Sequence, residues 1–167
     1  MGSAYQWSML QAIDVSAAVF VRGLTNLKTI LTKAEAHGMN VSASLVDGMQ
    51  DLAAQVHWAG EGSVLALNRV LGVSPSPAAP PSAKTFAELR ASVDRAIAAL
   101  RAVDPGVLEA SLERTVELPW RGGTKAFRGD RFLLEFALPN FFFHLTLAYA
   151  ILRKEGVPLE KADFMGR

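Results

Sequence analysis

Cysteine is absent from this chain, which excludes a disulfide framework, a zinc–thiolate site and a cysteine nucleophile together. No run approaches the roughly 18 consecutive apolar residues of a membrane-spanning helix, so no segment is expected to cross a bilayer. Neither sign of charge dominates. The 17 Lys and Arg stand against 16 Asp and Glu, for a formal net charge of +1, which gives no electrostatic case for nucleic acid or an anionic membrane as partner. The N-terminus lacks the basic-then-apolar pattern of a secretion signal, so a cytoplasmic location is the expectation. No glycine-rich phosphate loop follows a strand, and Gly60-Glu61-Gly62-Ser63 falls inside a helical pattern instead. No Glu-x-x-His pairs of the di-iron type occur, and no serine stands out beside a base.

What is present is one domain's worth of chain. The sequence has 167 residues, 50% hydrophobic and 20% charged, and residues 1–167 read as a single domain. A chain of this size buries about 70% of the surface its unfolded form exposes, so its core needs no covalent staple.

Helical periodicity marks four segments. The first runs from about Ser8 to His37, with Val15, Val19, Leu24, Leu27, Ile30, Leu31 and Ala34 at three- and four-residue steps before Gly38. The second runs from about Leu45 to Leu71 on a stripe of Leu45, Met49, Leu52, Val56, Ala59, Ser63, Leu67 and Val70, and Gly72 ends it. Gly72 to Lys84, with Pro75, Pro77, Pro80 and Pro81, reads as an extended strap crossing the bundle. Thr85-Phe86-Ala87-Glu88 has capping-box form and opens the third helix, which Asp104-Pro105-Gly106 stops. Thr115–Leu118 and Thr124–Phe127 flank Pro119-Trp120-Arg121-Gly122-Gly123 and predict a short β-hairpin. The fourth helix spans about Asp130 to Glu155, with Gly156 as its stop. The pattern predicts an all-α, antiparallel four-helix bundle with a short β-hairpin between the third and fourth helices.

The last helix carries the most informative residues. Phe132, Leu133, Phe136, Phe143, Leu147 and Ile151 form its apolar stripe, and Asn140 and His144 fall in the middle, one turn apart. An amide and an imidazole facing a core must find partners, because an unsatisfied buried polar group costs about 1–3 kcal/mol. They either satisfy each other structurally or perform chemistry. Pro139 predicts a local kink beside them. On the second helix, Gln55 and His57 flank the apolar stripe on opposite sides, so only one of them readily faces a given cavity. Trp120, at the hairpin tip, is placed to cap the bundle mouth or a subunit interface, and Tyr5 and Trp7 to fold over the same end.

Val19–Leu24, Thr85–Leu89, and above all Phe136-Ala137-Leu138-Pro139-Asn140-Phe141-Phe142-Phe143-His144 resemble a bacterial and fungal family known as a domain of unknown function, within the DinB/YfiT-like helical-bundle superfamily. Ala148–Arg153, Gly156-Val157-Pro158 and Asp163–Gly166 extend the resemblance over nearly the whole chain. It implies a DinB-like bundle, a homodimer, and a superfamily in which many members are described as metal-dependent enzymes. The superfamily's site resembles three histidines, one on the second helix and a His-x-x-x-His pair on the last. Carried onto this sequence, those positions are Gln55, Asn140 and His144, with His57 two residues beyond the first. Amide oxygens are poor ligands for zinc or nickel, so no cofactor is expected.

Three readings follow. The first is a metal-independent pocket for a small, mostly apolar molecule, in which His144 is the acid–base group and Asn140 and Gln55 orient the substrate, with His57 a further candidate. An isomerisation, cyclisation or lyase-type reaction needs no more than these groups. The second is a divalent-metal site through His57 and His144. The third is a non-enzymatic homodimeric interaction module using a bundle face and the Trp120 hairpin.

Overall fold

The computed structural model describes residues 10–73 and 79–167. Tyr5, Trp7 and Ser8, with Pro75 and Pro77 of the strap, lie outside the described residues.

The first long helix, α1, spans Ala17–Ala36 and buries Phe20, Leu24, Leu27, Leu31 and Ala34. It begins later than its periodicity predicts. The Asp14 carboxylate accepts from the Gln11 N–H at 3.1 Å, and the Ser16 hydroxyl donates back to the Ala12 carbonyl. Such local side-chain bonds offer the backbone an alternative to the helix, and residues 12–16 form turns. Helix α2, Leu52–Leu71, also starts late. Gly48 has φ of 83°, a left-handed conformation that a right-handed helix cannot contain. Asp51 then caps the helix by accepting from the Ala54 N–H at 2.9 Å.

Helix α3, Phe86–Arg101, opens with the predicted capping box of Thr85 and Glu88. Residues 79–84 before it are not helical. The stop at Asp104-Pro105-Gly106 also begins a short helix, α4, Pro105–Ser111, which periodicity had not marked; the Asp104 carboxylate caps it at the Val107 N–H, 2.8 Å away. The hairpin consists of β1, Thr115–Trp120, and β2, Gly123–Arg128, pairing antiparallel with Thr115 opposite Arg128 and Trp120 opposite Gly123. Its ladder is longer than expected, leaving Arg121 and Gly122 as the turn. Val116, Leu118 and Phe127 are buried and seat it on the core.

The last long helix is continuous from Gly129 to Lys154: α5, Gly129–Phe132, a π-helical turn over Leu133–Ala137, and α6, Leu138–Lys154. The π-turn occupies the place where Pro139, lacking an N–H, was expected to kink the helix. The extra residue it inserts rotates everything downstream. Phe143 is therefore 56% exposed, whereas Phe141 is only 1% exposed. Phe132, Leu133 and Ile151 of the predicted stripe are buried, and Phe136 packs half-buried on Phe132. Beyond the π-turn, however, the buried face runs through Phe141, Leu145, Ala148 and Leu152 rather than Phe143 and Leu147. By length and composition the Gly129–Lys154 helix could cross a membrane, with a mean hydropathy of 1.3 over its most apolar window. In this fold it packs along α2. A final short helix, α7, Lys161–Met165, lies on α1, where the Asn26 amide donates to the Phe164 carbonyl at 3.0 Å and Lys33 pairs with Asp163 at 2.6 Å.

The long helices associate in pairs. Lys28–Asp94 and Arg90–Glu35, each at 2.6 Å, align α1 and α3 in opposite directions. On the other flank α2 runs against α6, and α2 meets α3 where Gly60 approaches Ala96. At the α1–α6 contact, a Cβ on Gly23 would stand 2.7 Å from the Phe141 ring. Glycine is what allows that ring to sit against α1.

Candidate functional site

His144 and Gln55 meet across the α2–α6 seam, with His144 Nδ1 2.8 Å from Gln55 Oε1. Gln55 is 2% exposed, and its place follows from the start of α2. Asp51 fixes the first turn, and the Gln50 carbonyl just ahead of it accepts from Gln55 Nε2 at 3.2 Å. With the amide nitrogen committed to Gln50, the amide oxygen must face His144. An oxygen there can only accept, so Nδ1 carries the proton and Nε2 keeps its lone pair. Among the described residues Nε2 has no hydrogen-bond partner. His144 is partly buried, and this burial pushes its pKa below the usual histidine value. The neutral imidazole is the favoured form, and its tautomer is set by a neighbour.

Asn140 lies one turn before His144 and is also partly buried. Its amide nitrogen packs beside Gly62, 3.7 Å from where a Cβ on that glycine would lie. Because α2 and α6 run in opposite directions, Asn140 and Gln55 meet the seam at different levels. The rotation introduced by the π-turn leaves Asn140 and His144 at the edge of the buried face rather than at its centre.

His57 is not part of this group. It follows Gln55 by two residues, about 200° around a helix of 3.6 residues per turn, and faces α3. There it lines a cleft of about 600 Å³ with Glu61, Val64, Leu89 and Arg95. Gln50 and Asp51 hold Gln55 in place, and helical periodicity does not single them out. The Asp51 cap was legible as an acidic residue before an apolar run, but a backbone carbonyl leaves no sequence signal.

A family profile described as "Domain of unknown function (DUF1993)" matches residues 13–165. The chain belongs to that family. A crystal structure of a DinB family member protein from Shewanella denitrificans is similar to this DUF1993 protein, with 29% sequence identity, 93% of this chain and 92% of that chain covered, and a TM-score of 0.84. No curated protein matches it. The DUF1993 fold is mostly helical with one small two-stranded antiparallel sheet among the described residues, and it is DinB-like.

The donor set does not fit the divalent metal that the superfamily resemblance implies. Gln55 Oε1 is engaged by His144, amide oxygens bind zinc and nickel poorly, and His57 faces a different cleft. Among the described residues no three His, Asp or Glu side chains come together as a metal site.

Proposed function

We propose that His144 is the proton-accepting group of a small-molecule pocket at the α2–α6 seam of an antiparallel four-helix bundle formed by α1, α2, α3 and the Gly129–Lys154 helix. The observation that carries this reading is the chain of bonds from the Gln50 carbonyl through the Gln55 amide to His144 Nδ1. A general base needs its acceptor nitrogen free and its tautomer held, and this arrangement provides both. Nε2 would take a proton from a carbon acid or hydroxyl of a mostly apolar substrate. Gln55 Oε1 would then stabilise the resulting imidazolium, and the same nitrogen would return the proton at a second position. The Asn140 amide would donate to an oxygen on which charge develops. That sequence is an isomerisation. A cyclisation or lyase-type elimination uses the same groups, and none needs a cofactor. We propose it as a cytoplasmic homodimer without a nucleic-acid or membrane partner, in keeping with its formal net charge of +1.

Proton abstraction and return can be tested without knowing the product. Small apolar ketones and enols incubated with the protein in heavy water should take up deuterium, detected by mass spectrometry, and His144→Gln should stop the uptake. Undiminished uptake by a folded His144→Gln protein removes His144 from the mechanism.

A second reading, a non-enzymatic homodimeric interaction module, is favoured by the exposure of Trp120, Leu134 and Phe143. Sedimentation across a concentration series, with Trp120→Ser and Phe143→Ser, tests it. A protein that is monomeric at all concentrations ends it.

A further inference from the structure

The cleft between α2, α3 and residues 79–83 is separate from the His144 site and shares no residue with it. Its volume, about 600 Å³, is within the range of small-molecule pockets. Val64, Leu89, Pro80 and Ala83 supply an apolar lining. His57 Nε2 is buried and has no hydrogen-bond partner. That nitrogen has no surface open to the cleft, so a ligand seated there does not complete it, and the charged groups of the lining decide what the cleft can hold.

Two opposite charges line the same cleft. Glu61 lies one turn beyond His57 on α2, and Arg95 lies on α3. Each neighbours the point where Gly60 meets Ala96, so they stand at the same level on adjacent helices. Among the described residues neither is in an ion pair, with the other or with a third group. Glu88 also lines the cleft, but its carboxylate is committed to the backbone amides of Lys84 and Thr85 at the start of α3. Among the described residues, Glu61 is thus the anion and Arg95 the cation of this lining without an ion-pair partner. A carboxylate ligand alone would leave Glu61 unanswered, and an amine alone would leave Arg95.

We propose that this cleft binds a small zwitterion with an apolar side chain, such as an aliphatic α-amino acid. Arg95 holds its carboxylate and Glu61 its ammonium, with His57 on the α2 wall of the cleft. The apolar body rests on Val64, Leu89 and Pro80. Arginine suits the carboxylate because its planar fork can make two parallel bonds to it.

The test is a titration of ¹⁵N-labelled protein with L-leucine, followed by amide and histidine side-chain resonances, beside leucinamide and 4-methylpentanoate, which each lack one charge. Leucine should shift the signals of His57 and Arg95 saturably, and each one-charge analogue should bind at least about tenfold more weakly, the loss expected for one charge-assisted contact. Arg95→Gln and Glu61→Gln, at positions outside the core, should each weaken leucine binding by a similar factor. The absence of a saturable shift with leucine overturns the assignment. So does equal binding of the three probes, or leucine binding unchanged in both variants.

Discussion

Gln55 and His144 are 89 positions apart in the chain, yet the Gln55 amide oxygen and His144 Nδ1 stand 2.8 Å apart. The bond fixes which imidazole nitrogen is free, and partial burial depresses the pKa of the same ring. Histidine-detected ¹⁵N NMR of the native protein should find His144 neutral at pH 7, with the proton on Nδ1. Gln55→Leu removes the acceptor and should let the ring populate the other tautomer. An unchanged tautomer would mean that Gln55 does not set it.

The direction of the His144 shift gives a pH dependence of stability. Its folded pKa is below the unfolded value, so the unfolded chain binds the proton more readily. The stability associated with the neutral ring is complete above the unfolded pKa, near 6.5, and is lost as pH falls through the lower folded value. Urea unfolding at pH 7.5 and 5.5 should show weaker stability at the lower pH, and His144→Gln should reduce that difference. An equal pH dependence in the variant would place its origin in other groups.

Gly23→Ala tests the close approach of α1 and α6. The new Cβ would lie 2.7 Å from two carbons of the Phe141 ring, and that ring is buried against Phe20 with centroids 4.9 Å apart. Overpacking of this kind costs about 1–3 kcal/mol. Phe141→Leu in the Gly23→Ala background should recover part of the loss, measured by urea midpoints. Additive losses would mean the two side chains do not compete for the space.

Asp51→Ala removes the cap of α2, at a cost of about 1 kcal/mol. Thr85→Ala removes the equivalent cap of α3 and should cost a similar amount. Only the first loosens the turn that holds Gln50 and Gln55, so only Asp51→Ala should disturb the His144 ring signals. Equal disturbance by both variants would make the effect a general one.

The donor set makes a prediction about metals. Protein prepared without a histidine tag and incubated with zinc, nickel or manganese should retain none stoichiometrically after dialysis, by elemental analysis. One equivalent retained by the native protein and lost in His144→Ala would restore the metal reading.

Much of the architecture was readable from residue order. The capping box at Thr85, the glycine after α2 and the hairpin are set by bonds within a few residues, and so is the apolar spacing of α2 and α3. Their signals survive in a linear string. α1 and α2 start later than their apolar spacing predicts, because Asp14, Ser16, Gly48 and Asp51 decide the starts locally while the spacing continues past them. Beyond the π-turn, the face of the last helix departs from its apolar spacing for a different reason. A π-turn ahead of Pro139 adds one residue to the helix, and periodicity counted at a constant angle cannot register it.

By itself the sequence determined that His144, Asn140, Gln55 and His57 are polar side chains in or beside apolar stripes, since that pattern is visible in residue order. Only the tertiary structure decided their grouping. The opposed packing of α2 and α6 brings Gln55 to His144, while the 3.6-residue turn carries His57 to the far side of α2, into a cleft with Glu61 and Arg95. Periodicity specifies the face of one helix, but which neighbour covers that face is settled by how the whole set of apolar surfaces is buried at once.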